Sequence, residues 1–170
     1  VTATRFPTGL ESAPVSVTVI DAQEISRSAA RNMSELLQLQ AGVQVLDLSG
    51  INGSQTRLDT GGFGATANQN TLVLLNGRRL NDVDLTGANL ASIPLDSVAR
   101  VEILHGSATV AYGDNAVGGV INIVTKSGFE GPTANVTASA GSYRTNTLGA
   151  TIRSSSAHTA AILTAQGLAS

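Results

Sequence analysis

Cysteine is absent from the 170 residues, so neither a disulfide frame nor thiol chemistry is open to this chain. Tryptophan is missing too, and three Phe with two Tyr make no platform for stacking nucleic-acid bases. Lysine occurs once, as Lys126; the other nine cations are Arg. Against twelve acids they leave a formal charge of −2, which implies no polyanion partner, and Arg78-Arg79 is too short for a nucleic-acid patch. The two histidines, His105 and His158, are far apart, so a structural zinc site lacks ligands. No apolar run approaches the roughly 20 residues of a spanning helix. The chain opens on Val1 with no visible signal peptide, which fits a mature form or a piece cut from a longer protein.

What is present reads as one domain with an appendage. Residues 1–126 hold nineteen charged side chains, whereas 127–170 hold three, Glu130, Arg144 and Arg153, which puts a boundary near Ser127-Gly128. Val15 to Ile20 is rich in β-branched residues and reads as a strand. Asp21 with Glu24, and Asn32 with Glu35, are capping-box arrangements that start two short helices, the first running to about Ala30 and the second stopping at Gly42. Val43 to Leu46 resumes a strand, and 47–70 follows as a long polar, glycine-rich segment without periodicity of its own. Thr71 to Leu75 is a strand; Asn76-Gly77 is the preferred pair for a type I′ hairpin, and Arg78 to Leu80 returns. A second polar loop, 81–92, precedes a helical turn at 94–99. Arg100 to Leu104 alternates as a half-buried strand, 107–112 suits one helical turn, and Val120 to Val124 is a further strand. The fold class is α+β, a small mixed sheet with short helices.

In the tail, Thr133, Asn135, Thr137 and Ser139 alternate with Ala134, Val136, Ala138 and Ala140, and 145–153 alternates likewise. Strands of this kind occur in outer-membrane barrels and in any half-buried antiparallel sheet, and alternation alone favours the soluble reading.

Catalytic and cofactor signatures are lacking. Gly61-Gly62-Phe63-Gly64 and the glycines of 113–119 match neither the P-loop nor the dinucleotide fingerprint, and they fit close backbone approach better than a phosphate cradle. No G-x-S-x-G elbow occurs, so no enzyme and no cofactor is expected. Asp82 and Asp84 form the one close carboxylate pair, read as a solvated loop before a cation site.

VTATR (1–5), LLNGRRLNDVD (74–84) and IPLDSVARVEILHGSATVAYGDNAVGGVINIVTK (93–126) together resemble the plug domain of TonB-dependent outer-membrane receptors. The resemblance implies a plug over 1–127 and, over 128–170, the first antiparallel strands of a 22-stranded barrel. The apolar sides of Ala134, Val136, Ala138, Leu148 and Ile152 would then face lipid or a missing neighbour, and three strands alone could not satisfy their edges in a membrane. It implies a Gram-negative outer-membrane location and energised uptake of a siderophore-bound metal, haem or cobalamin. The implied partners are the inner-membrane transducer TonB, the chain's own barrel and a small-molecule or metal-chelate ligand, without nucleic acid. Val1, Thr2 and Ala3 would end the coupling segment that TonB captures by strand addition. Asn52, Ser54, Gln55, Asp82, Asp84 and Asn89, on the two polar loops, would meet the ligand.

Arg57, Arg100, Glu102 and His105 would make ionic contacts with the barrel wall. Two departures from the family pattern bear on them. The family's Ile-Arg-Gly stands here as Thr56-Arg57-Leu58, and a second family arginine is His105. An Arg fork is always charged, whereas His is charged only below about pH 6.5. The rival readings are a free-standing extracellular or periplasmic binding module with a plug-like fold, and an enzyme on a β-rich scaffold.

Overall fold

The computed structural model describes residues 16–48, 55–80, 87–127, 133–140, 146–155 and 160–169. The chain divides into two compact units, residues 1–125 and 126–170. In the first, β1 (Val17–Asp21) leads into α1 (Ala22–Arg27), α2 (Met33–Gln38), β2 (Gln44–Asp47) and β3 (Thr56–Asp59). A 3₁₀ turn at Gly64–Thr66 precedes α3 (Ala67–Asn70), β4 (Thr71–Leu75) and β5 (Arg78–Arg79). After a 3₁₀ turn at Leu95–Ser97 come β6 (Val98–His105), α4 (Thr109–Tyr112), a 3₁₀ turn at Asp114–Ala116 and β7 (Gly119–Thr125).

Local chemistry accounts for the element starts. The Asp21 carboxylate accepts the Glu24 N–H at 2.8 Å, and Asn32 Oδ1 accepts the Glu35 N–H at 2.8 Å, as the capping pattern predicts. Helix α1 is shorter than expected: it stops at Arg27, where Ser28 turns extended and its hydroxyl donates to the Ile25 carbonyl at 2.7 Å. Helix α2 likewise ends at Gln38, before Gly42, whose φ of 78° serves the turn into β2. Asn76 and Gly77 have φ of 52° and 79°, the left-handed pair that a type I′ hairpin requires.

Five strands form a sheet in the order β1-β6-β7-β4-β5, with β4 and β7 parallel and the other pairs antiparallel. One face carries Ile20, Val73, Val101, Ile103, Ile121 and Ile123, packed with Ile25, Met33, Leu36 and Leu37 of the helices. The other carries Leu72, Leu74, Leu104 and Val120 under Ala108 and Ala116. The half-buried reading of β6 is therefore corrected. Val101, Glu102, Ile103 and Leu104 are all buried, because both faces are covered and the polar member of the alternation lies inside.

The reading of 47–70 as one polar loop is also corrected within the described residues. β3 pairs antiparallel with β2, and α3 follows. Elements of four residues are too short to show a period. Within 81–92, Ala88 and Leu90 are buried core residues, while 81–86 lie outside the described residues.

In the second unit, β8 (Thr133–Ala140), β9 (Asn146–Ser155) and β10 (Ala160–Ala169) form an antiparallel sheet in chain order. Ala134, Ile152 and Leu163 align across it, and Val136, Leu148, Ile152 and Leu163 are exposed by 56–71 %. One face is thus apolar and uncovered within this unit.

Candidate functional site

The two polar loops meet through Thr56. Its N–H donates to the Ala88 carbonyl at 3.0 Å, and the Ala88 N–H returns to the Thr56 carbonyl at 2.9 Å. The approach is so close that a Cβ on Gly87 would lie 2.6 Å from the Thr56 backbone. The buried Thr56 hydroxyl donates to Asp47 Oδ1 at 2.7 Å and lies 3.2 Å from the Ser34 hydroxyl, so α2, β2 and the 87–90 segment converge on one residue, the first two on its side chain and the third on its backbone. Gln55 and Asn89, both exposed, lie one position beyond this antiparallel bridge and on the same side of it. The structure thus brings together one candidate ligand contact from each loop. Asn52, Ser54, Asp82 and Asp84 lie outside the described residues, as do Val1, Thr2 and Ala3.

The four candidate ionic residues are spread over two sheets. Arg57, on β3, stands opposite the exposed Leu46, and its Nε is buried with no hydrogen-bond partner among the described residues. On β6, Arg100 Nε donates to Glu102 Oε1 at 2.8 Å; the arginine is 35 % exposed and the carboxylate fully buried. Asn122 Nδ2 donates to Glu102 Oε2 at 3.3 Å, while Asn122 Oδ1 accepts the Gly77 N–H at 3.2 Å. Glu102 is therefore woven into the sheet and the β4–β5 hairpin, and Arg100 lies between it and solvent. His105 Nε2 lies 3.1 Å from Thr18 Oγ1.

The two glycine clusters meet as well. Asp59 Oδ1 accepts the N–H groups of Gly61 (3.0 Å) and Gly62 (2.8 Å), and Oδ2 accepts that of Gly64 (2.7 Å). Burial alone would raise this carboxyl's pKa. The N–H groups of Gly64, Phe63, Gly61 and Gly62 outweigh it and hold the pKa below the usual carboxylate value. The loop so formed lays Phe63 against Gly61 and Gly118: a Cβ on either would come within 2.4 and 2.7 Å of the ring. A Cβ on Gly119 would meet the Leu104 carbonyl oxygen at 2.4 Å and Thr60 Oγ1 at 2.7 Å. The glycines of the first cluster spend their N–H groups on Asp59, and those of the second admit close neighbours. Asp59 and Phe63 went unnoticed in the sequence. The available signal was a strand ending in Asp followed within five residues by three glycines, the pattern of a carboxylate capping its own turn.

Comparison with known proteins places these features in a family. Residues 9–120 match the model of the TonB-dependent Receptor Plug Domain. Proteins named vitamin B12 transporter BtuB, from Photobacterium profundum and Vibrio cholerae, are 35 % and 34 % identical over 142 residues, which is 84 % of this chain. The chain spans 23 % of their length. Among solved structures, the ferric yersiniabactin uptake receptor FyuA from Yersinia pestis superposes with a TM-score of 0.71 at 22 % identity, over 89 % of this chain and 24 % of its own. The pyoverdine receptor FpvA from Pseudomonas aeruginosa gives 0.74 at 20 % identity, over 97 % and 24 %. These structures speak to the fold, a mixed sheet with a few short helices.

Proposed function

The chain belongs to the family of TonB-dependent receptor plug domains, and on that premise we propose that it closes the pore of an outer-membrane transporter and gates energised uptake of a scarce nutrient. The single observation that carries this reading is the family match over residues 9–120, which includes β1, β4, β5 and β6 of the five-stranded sheet. The matched family is one of receptors, not of enzymes. In this proposal residues 1–127 are the plug and 128–170 open the barrel, which fits the alternating, outward apolar face of β8 to β10. Siderophore-bound metal, haem and cobalamin remain the cargo classes. The sequence relatives, named for vitamin B12, favour cobalamin.

Gln55 and Asn89, with Asn52, Ser54, Asp82 and Asp84, would meet that cargo on the outer side. Arg57, whose buried Nε has no partner among the described residues, would reach a carboxylate of the barrel wall, since a buried donor without a partner costs about 1–3 kcal/mol. Arg100, Glu102 and His105 would support the same boundary, the first two as a pair. Cargo binding would shift the plug's conformations and release Val1, Thr2 and Ala3 to TonB in the periplasm. The free-standing module has no observation in its favour. The test is uptake by the intact receptor after deletion of residues 1–5 and the coupling segment before them. Surface binding of cyanocobalamin or a ferric siderophore should survive and import should stop; continued import would overturn the coupling step.

A further inference from the structure

Where the end of β6 meets the beginning of β1, one residue adds a side-chain hold to the strand pairing. The His105 N–H donates to the Ser16 carbonyl at 2.9 Å, and its ring nitrogen Nε2 lies 3.1 Å from the Thr18 hydroxyl. The other side of the ring abuts the turn between α2 and β2: a Cβ on Gly42 would lie 3.5 Å from His105 Nδ1 and Cε1. His105 therefore joins three segments that are far apart in sequence. Strand β1 needs such a hold. It is an edge strand five residues long, paired only with β6, and of its residues only Ile20 is fully buried.

Ser16 is also where the chain's first fifteen residues join the sheet. Among the described residues, tension applied at the amino end enters through Ser16, and the two contacts made by His105 hold the start of that strand. We propose that His105 is the clasp on β1, a positioning residue that sets how readily the first strand leaves the sheet when the amino end is drawn away. The proposal rests on the plug reading for the origin of the tension, but the clasp is a property of the resting fold. It also gives the departure from the family pattern a meaning. Here the imidazole closes on Thr18 at 3.1 Å within the sheet face.

The test is hydrogen exchange followed by mass spectrometry on the intact receptor in lipid vesicles, without TonB and without an energised membrane. In His105→Leu, exchange in the peptide spanning 16–21 should rise about tenfold, the rate equivalent of one net hydrogen bond. Peptides from β4 and β7 should be unchanged. Thr18→Val should give the same rise, and the double variant no more than either single one. His105→Gln, which can still hydrogen-bond to Thr18, should keep most of the protection. Unchanged exchange at 16–21, an equal rise across β4 and β7, or additive effects of the two substitutions would each overturn the clasp. Because no transport is measured, such a failure leaves the plug reading standing, and loss of the coupling step in the uptake test leaves the clasp standing.

Discussion

Replacing Asp59 with Asn tests the most concentrated electrostatic feature of the first unit. The carboxylate is 5 % exposed and accepts three backbone N–H groups at 2.7–3.0 Å. Hydrogen bonds to a charged acceptor contribute about 1.5–3 kcal/mol each. Gly61, Gly62 and Gly64 are exposed, so water recovers much of that in the variant. Asn keeps one acceptor oxygen but turns an NH₂ group toward the remaining donors. A net loss of about 2–4 kcal/mol at pH 7 is expected.

The pH dependence carries the sharper test. The folded-state pKa of Asp59 lies below its ordinary value of 3.8, so the unfolded chain binds more protons than the folded one as pH falls through that region. The stabilisation is fully present above the unfolded value and is lost as pH drops through the folded one. Urea unfolding of the 170-residue chain, followed by circular dichroism at steps from pH 7 to pH 2, measures it. The gap between the native chain and Asp59→Asn should be constant down to about pH 5 and should shrink below pH 4. A gap that stays constant to pH 2, or no destabilisation at neutral pH, would refute the account of Asp59 as an ionised cap.

Two glycine substitutions follow from the close approaches. Gly118→Ala places a Cβ 2.7 Å from the Phe63 ring and 3.3 Å from the Asn70 carbonyl oxygen, and should cost about 1–3 kcal/mol in urea unfolding. Adding Phe63→Leu should recover part of that loss, and an additive double variant would mean the ring is not the obstacle. Gly87→Ala meets backbone at 2.6 Å, which cannot swing aside, so a loss of about 2–4 kcal/mol and faster exchange of the Thr56 and Ala88 amides are expected.

Much of the fold was legible where local chemistry decides it. Asp21 and Asn32 announce their helices by capping, and Asn76-Gly77 announces its hairpin by the φ angles it can reach. Residues 56–59 were illegible because their pairing with β2 spans a polar stretch and buries Thr56 and Asp59, which no hydrophobic period marks. Glu102 misled for a related reason. A charge at an alternating position reads as solvent-facing, yet here Arg100 and Asn122 satisfy it inside. Of the site, the two loops were identified as polar segments, but their junction at Thr56 and Ala88 depends on Gly87 lying against a distant backbone, and spacing does not encode that.

The order of the strands has a consequence for how such a chain matures. β7 lies in the middle of the sheet, between β6 and its parallel partner β4, yet it is the last of the five to be synthesised. β1 waits even longer in relative terms, since Val17 finds Leu104 only after most of the unit exists. Non-local pairing of this kind is slow to nucleate. The polypeptide therefore stays threadable until Thr125 emerges, and then closes around its final strand. Compaction of this unit is thereby deferred until its last strand is available.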